Sequence, residues 1–164
     1  MENIHKNSKY ITGKVLDIGC GRKPYKEIFL KFCTSYIGLE YIKTIHGFSE
    51  VDIVGDSLFL PFKDNQFDSI VSFQVMEHIQ EPQQFLTEAF RVIKKDGYFL
   101  FATPFMWGEH EAPYDFYRYT RYGLKYLSEK AGFEVIAINP DTKYWSTAAL
   151  RFNYYLMRFA RGPF

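Results

Sequence analysis

The chain has 164 residues, a mass of 19.4 kDa, 47% hydrophobic and 24% charged residues, which suits one compact domain with a sizeable core and excludes a disordered or collagen-like chain. Twenty Lys and Arg against nineteen Asp and Glu leave a net charge of +1, so no global field draws in a polyanion such as nucleic acid. The charge is uneven: residues 1–113 hold 12 basic and 15 acidic side chains, and residues 114–164 hold 8 and 4.

Short apolar runs alternate with longer segments of helical period, the pattern of βαβ units around a mostly parallel sheet. Val15 to Ile18 reads as a buried strand that runs into Asp17-Ile18-Gly19-Cys20-Gly21, and Pro24 then suits the first turn of a helix carrying Ile28, Phe29 and Phe32. Ser35–Glu40, Val51–Val54 and Phe67–Phe73 read as the second to fourth strands. Pro82 opens a helix whose Phe85, Leu86, Ala89, Phe90 and Ile93 recur at core spacing, closed by Asp96-Gly97. Tyr98–Thr103 is a fifth strand, Arg121–Ala131 a helix ending at Gly132, and Glu134–Ile138 a sixth strand. No run approaches the roughly 18 apolar residues of a membrane span, and no signal peptide opens the chain. Cys20 and Cys33 lack metal-ligand spacing, so a reduced, cytoplasmic setting is expected.

Pro104–Thr120 is long for a connection and leaves the carboxyl end of the fifth strand, where open α/β sheets place ligands. Its Trp107, Tyr114, Asp115, Tyr117 and Arg118 are the expected acceptor-binding residues. Aromatic faces can cover sugars, and Arg118 offers a partner for phosphate or carboxylate. Within the loop, Glu109, His110, Glu111 and Asp115 have no recognised coordination spacing, and no metal is expected.

The glycine turn fits a dinucleotide poorly, because Pro24 stands where a third glycine belongs and Asp17 would face a pyrophosphate. Over Lys14 to Ile138 the sequence instead resembles the class I S-adenosylmethionine-dependent methyltransferases, type 11 group. The resemblance is carried by Asp17-Ile18-Gly19-Cys20-Gly21, by Glu40 at the end of the second strand, by Asp56-Ser57-Leu58 followed by Leu60-Pro61-Phe62, and by Phe73-Gln74-Val75-Met76-Glu77-His78-Ile79. It implies a Rossmann-like, doubly wound sheet with helices on both faces, and S-adenosyl-L-methionine as cofactor, with S-adenosyl-L-homocysteine as product. The implied cofactor-binding residues are Asp17, Gly19, Cys20 and Gly21 on the methionine part, Glu40 on the ribose, Asp56, Ser57 and Leu58 at adenine, and Phe73 and Val75 at the fourth-strand exit.

Lys23 stands where many members have a third glycine, so it is read either as a contact to the methionine carboxylate or as a solvent-exposed side chain. No Asn-Pro-Pro-Tyr follows the fourth strand, which removes the usual mark of nucleic-acid base methylation. The family's last antiparallel strand has no counterpart, so a short variant or a truncated form of a longer protein is expected.

The expected reaction is O-methylation of a small-molecule, sugar or lipid-linked acceptor, with His110 or His78 as base. Tyr114 to Thr120 resembles a stretch of type 11 members from surface-polysaccharide and lipid-linked sugar pathways. The alternative is a non-catalytic S-adenosylmethionine-binding interaction or regulatory module.

Residues 142–164 form a basic aromatic helical tail, with Trp145, Ala148, Ala149, Phe152, Leu156 and Phe159 on one face and Arg151, Arg158 and Arg161 off it. Docking on its own domain, pairing in a homodimer and peripheral contact with an anionic membrane are the three uses open to it.

Overall fold

Side chains alternate across a strand, and the two central strands sort theirs onto two separate cores. Leu16, Ile18 and Ile70 face one side with Phe85, Leu86, Ala89 and Val92, while Val15 and Val71 face the other with Ile11 and Phe29. The computed structural model describes residues 2–43, 47–142 and 144–160, with the side chains of the last helix described as far as Met157. Its strands are β1 (Gly13–Ile18), β2 (Cys33–Glu40), β3 (Ile53–Val54), β4 (Phe67–Phe73) and β5 (Ile93–Ala102). They form one sheet in the order β3-β2-β1-β4-β5, with every neighbouring pair parallel.

Helices cover both faces, as a parallel sheet requires. On one side lie α3 (Pro82–Val92) and α4 (Arg121–Ala131); on the other, α1 (Glu2–Asn7) and α2 (Lys26–Phe29). Proline at its start and an apolar stripe along one side make α3 a helix that buries Phe85, Leu86, Ala89 and Val92. Burying a phenylalanine such as Phe85 or Phe67 contributes about 1.5–3 kcal/mol. The ends of α4 are set locally: Thr120 Oγ1 accepts from the Gly123 amide, and Gly132 closes the helix at φ 108°.

Two expectations are corrected. The fifth strand begins at Ile93 instead of Tyr98, directly after α3, and a register shift opposite Phe67–Ser69 accommodates Asp96 at φ 63°. Glu134–Ile138 forms no strand. It carries the alternation of one, yet Ile136 is 75% exposed, and a strand exists only where a neighbour supplies the ladder hydrogen bonds. Among the described residues β5 is therefore a sheet edge.

The tail forms α5 (Tyr144–Ala160). Its expected apolar face is not covered by the domain, with Trp145 80% and Phe152 60% exposed. The contact comes instead through Tyr154, whose ring meets Trp107 edge-on at 5.4 Å, and through Arg151 beside Gly108. Arg161 and the side chains of Arg158 and Phe159 lie outside the described residues. No described helix is long and apolar enough to cross a membrane.

Candidate functional site

Every strand of a parallel sheet ends on the same edge, and here that edge collects the polar groups. At the end of β1 the chain turns through Gly19 at φ 72° and Gly21 at φ 49°. A side chain at Gly19 would start 2.3 Å from Val75, which leaves β4 directly over the turn. Phe73 stands two residues earlier, packed against Phe29 and Tyr25.

Glu40 ties this turn to the end of β2. One carboxylate oxygen accepts from the Gly21 amide at 2.7 Å, and the other from the Tyr41 amide at 2.8 Å. Each oxygen retains a second lone pair, so a 7% exposed carboxylate is held rigid with capacity for two ribose hydroxyls. Asp56, in the loop after β3, accepts from the Leu58 amide with Oδ1, and the adjacent Ser57 is buried. Cys20 is buried, and burial pushes its thiol up to about 12, so it serves as packing without thiolate chemistry. Asp17 accepts a 2.6 Å hydrogen bond from Tyr36, and its burial raises the carboxyl to about 7. A ligand ammonium near Asp17 would restore the ionised form.

Lys23 does not behave as either sequence reading expects. Its side chain is 3% exposed and ion-paired with Asp52, which also accepts from the Gly38 amide. The ammonium is paired with Asp52, just before β3, and does not face the glycine turn as a free charge. Asp52 and Tyr36 were not singled out in the sequence, since nothing local marks them as partners of Lys23 and Asp17.

The other half of the edge is built by the 104–120 loop folding over the short 3-10 turn Met76–His78. The Glu77 carbonyl accepts from the Phe116 and Tyr117 amides, the Tyr117 hydroxyl donates to Gln80, and the Tyr119 hydroxyl donates to Met76. Arg118 is the loop's internal clamp. It grips both Asp115 oxygens at 2.6 and 2.7 Å and donates to the carbonyls of Trp107, Gly108 and Tyr117. The guanidinium holds the Asp115 carboxyl far below the usual carboxylate range. Arg118 and Asp115 thus hold each other across the loop, whereas the sequence reading sets Arg118 toward an acceptor phosphate or carboxylate and Asp115 among the acceptor-binding residues.

His78 and His110 come together, their rings edge-to-face at 4.9 Å. His78 Nδ1 lies 2.7 Å from the Tyr114 carbonyl, which can only accept, so that nitrogen carries the proton. His110 Nδ1 lies 3.2 Å from both the Gly108 carbonyl and an Asp115 oxygen and 3.3 Å from Arg118 Nη2, so acceptors and a donor converge on it. Beneath them Glu77 is fully buried, with no well-formed hydrogen bond to either carboxylate oxygen; the Thr103 hydroxyl lies beside it, and His78 Nε2 is 4.0 Å from Oε1. Trp107 and Glu109 line two adjoining clefts of about 250 and 320 Å³, the first closed by Phe116, Tyr117 and Arg118, the second by Arg151, Tyr154 and Tyr155. Tyr114 is exposed at the rim.

Fold and site together define a nucleoside-binding α/β domain, and comparison with known proteins makes the class specific. Residues 16–101 match the family described as methyltransferase domain, and the chain belongs to this family of class I S-adenosylmethionine-dependent methyltransferases. It is 34% identical over 133 residues to a protein of Mycolicibacterium smegmatis named "Probable S-adenosylmethionine-dependent methyltransferase", covering 74% of this chain and 52% of that one. It is 33% identical over 108 residues to the mitochondrial ubiquinone biosynthesis O-methyltransferase of Bos taurus, covering 57% and 29%. Phosphoethanolamine N-methyltransferase 2 of Haemonchus contortus, solved with S-adenosyl-L-methionine, superposes with a TM-score of 0.69 over 97% of this chain and 43% of that one; at 18% identity this shows the fold alone. The chain spans about half or less of the length of these curated relatives.

Proposed function

We propose that the protein transfers a methyl group from S-adenosylmethionine to an oxygen of a small-molecule, sugar or lipid-linked acceptor. The observation that carries this reading is the pair of imidazoles 4.9 Å apart, His78 three residues beyond the Val75 that covers the glycine turn, with Nδ1 anchored on the Tyr114 carbonyl, and His110 brought to it by the 104–120 loop. When bound, the cofactor supplies an already activated sulfonium methyl, so the chain's own task is to bind, align and exclude water. Gly19, Gly21, Glu40 and Asp56 form the binding cradle, and Asp17 matches an ammonium.

On the acceptor side, Trp107, Tyr114 and Tyr117 present aromatic surface to an acceptor ring, and Nε2 of His110 or His78 accepts the hydrogen bond of its hydroxyl, the position from which a base draws the proton. Arg118 and Asp115 act as positioning residues that hold His110 in place. The bovine relative's name specifies transfer to oxygen, whereas the nematode protein's name specifies nitrogen.

The test is a methyl-transfer assay against a panel of hydroxyl acceptors, with S-adenosylhomocysteine affinity measured in parallel by calorimetry. His110→Ala and His78→Ala are expected to lower turnover by about 10²–10⁴-fold, the usual worth of a positioned acid–base group, with cofactor affinity intact. Undiminished transfer in both variants would reject their role. Saturable cofactor binding without turnover on any acceptor would favour the non-catalytic binding module.

A further inference from the structure

We propose that Glu77, His78 and His110 form a binding site for one borderline divalent cation of the Zn²⁺ or Fe²⁺ kind. One donor atom from each group lies within 4.8 Å of the others. Two imidazole nitrogens and one carboxylate oxygen are the donor set such ions select over Mg²⁺ or Ca²⁺, and three protein ligands leave positions open for an exogenous oxygen. Metal–ligand distances near 2.1 Å require the donors to close to about 4 Å or less, a small movement for His110, which sits on a loop.

Three further features point the same way. Glu77 is buried to 0% exposure with no hydrogen bond to either oxygen, and His78 Nε2, 4.0 Å from Oε1, faces its charge; a carboxylate so placed is costly unless a cation or a proton joins it. Each histidine already has the outer partner that metal-bound imidazoles usually have, a carbonyl or carboxylate on the other ring nitrogen: Tyr114 for His78, Gly108 and Asp115 for His110. The nearby Arg118 guanidinium, whose Nη2 is 3.3 Å from His110 Nδ1, has its charge taken up by both oxygens of Asp115. Sequence spacing hides the site, because its ligands are the neighbours Glu77 and His78 plus a residue from a loop beyond the next strand.

Ion binding itself needs neither cofactor nor acceptor. Its consequence rests on the reading of this edge as the acceptor side: the direct Nε2 hydrogen bonds to an acceptor hydroxyl belong to the ion-free protein, and a bound ion takes their place as the group that meets the acceptor oxygen.

The experiment is titration of the chelator-treated full chain with Co²⁺, followed by its visible absorption, and with Zn²⁺ by calorimetry. One equivalent is expected to bind, unaffected by millimolar Mg²⁺, with no thiolate charge-transfer band. Glu77→Gln and His110→Ala are each expected to weaken binding by at least about tenfold. Because Glu77 is buried and its variant can misfold, the loop variant His110→Ala decides the matter, with retained S-adenosylhomocysteine binding as evidence of folding. Absence of saturable binding in the wild-type chain, or full-strength binding in His110→Ala, would overturn the proposal. Co²⁺ binding without any S-adenosylhomocysteine binding would sustain the ion site while removing the cofactor reading, so the two fail separately.

Discussion

At the carboxyl ends of β1 and β4 the sheet buries two carboxylates, and they are treated differently. Asp17 is met by the Tyr36 hydroxyl from the adjacent strand, and its neighbour Glu40 by two backbone amides. Glu77 is met by nothing within hydrogen-bonding geometry. The β1–β2 end is wired through strands and a glycine turn, so its geometry is fixed before any ligand arrives. The β4 end is completed by a loop that Arg118 clamps from within, and its buried Glu77 has no hydrogen bond to either oxygen and has His78 at 4.0 Å to face its charge. A cradle fixed by strands and backbone amides thus adjoins an edge closed by a loop, and under the proposed function these are the donor and acceptor sides.

The largest effect separating the two ends is expected from Gly19→Ala. The added methyl would lie 2.3 Å from Val75 at a φ of 72°, and strain plus overpacking should cost about 4 kcal/mol and abolish S-adenosylhomocysteine binding, as read by denaturant unfolding and calorimetry. Next comes Asp115→Ala, which strands the Arg118 guanidinium. The Asp115 side chain is 2% exposed but that of Arg118 is 24%, so the loss should fall near the lower limit for a broken buried pair, about 3 kcal/mol. Cofactor affinity should barely change; a large fall would show that the two ends are not independent.

Glu40→Ala should act in the opposite sense, lowering S-adenosylhomocysteine affinity by about 10–100-fold, the worth of charge-assisted hydrogen bonds of roughly 1.5–3 kcal/mol, while leaving loop contacts intact. The smallest effect is a pH slope. Asp17 has its carboxyl raised to about 7 in the folded protein, so between about pH 4 and 7 the folded state keeps a proton that the unfolded chain releases. Stability of the free protein should therefore fall as pH rises through that window and stay reduced above it, with about 1 kcal/mol of the loss between pH 6 and 8. Thermal unfolding across that range should show the slope in the wild type and a flatter curve in Asp17→Asn. An equal slope in both would assign the titration elsewhere.

Much of the β1–β2 end was legible because its chemistry is local. The Gly19 turn follows its strand directly, Glu40 ends the next strand, and Asp56 follows the third, so order along the chain is order along the sheet edge. Helix α4 was equally readable, with Thr120 and Gly132 marking its ends. The pairings were not. Lys23 is separated from Asp52 by 29 positions and Tyr36 from Asp17 by 19, and a sequence gives no distance across that gap.

The acceptor loop shows the limit most clearly. Its composition announced function, yet whether Arg118 reaches outward to a ligand or inward to Asp115 depends on how the chain turns between them. The predicted strand at Glu134–Ile138 failed for a related reason: alternation describes a face, while a strand needs a partner's hydrogen bonds. By itself the sequence determined the fold class, the glycine turn and the family, because these rest on periodicity and short motifs whose parts touch their chain neighbours. Only the tertiary structure decided which charges are spent on one another and that Glu77, His78 and His110 meet, because long-range encounters are set by strand order and loop closure rather than by spacing.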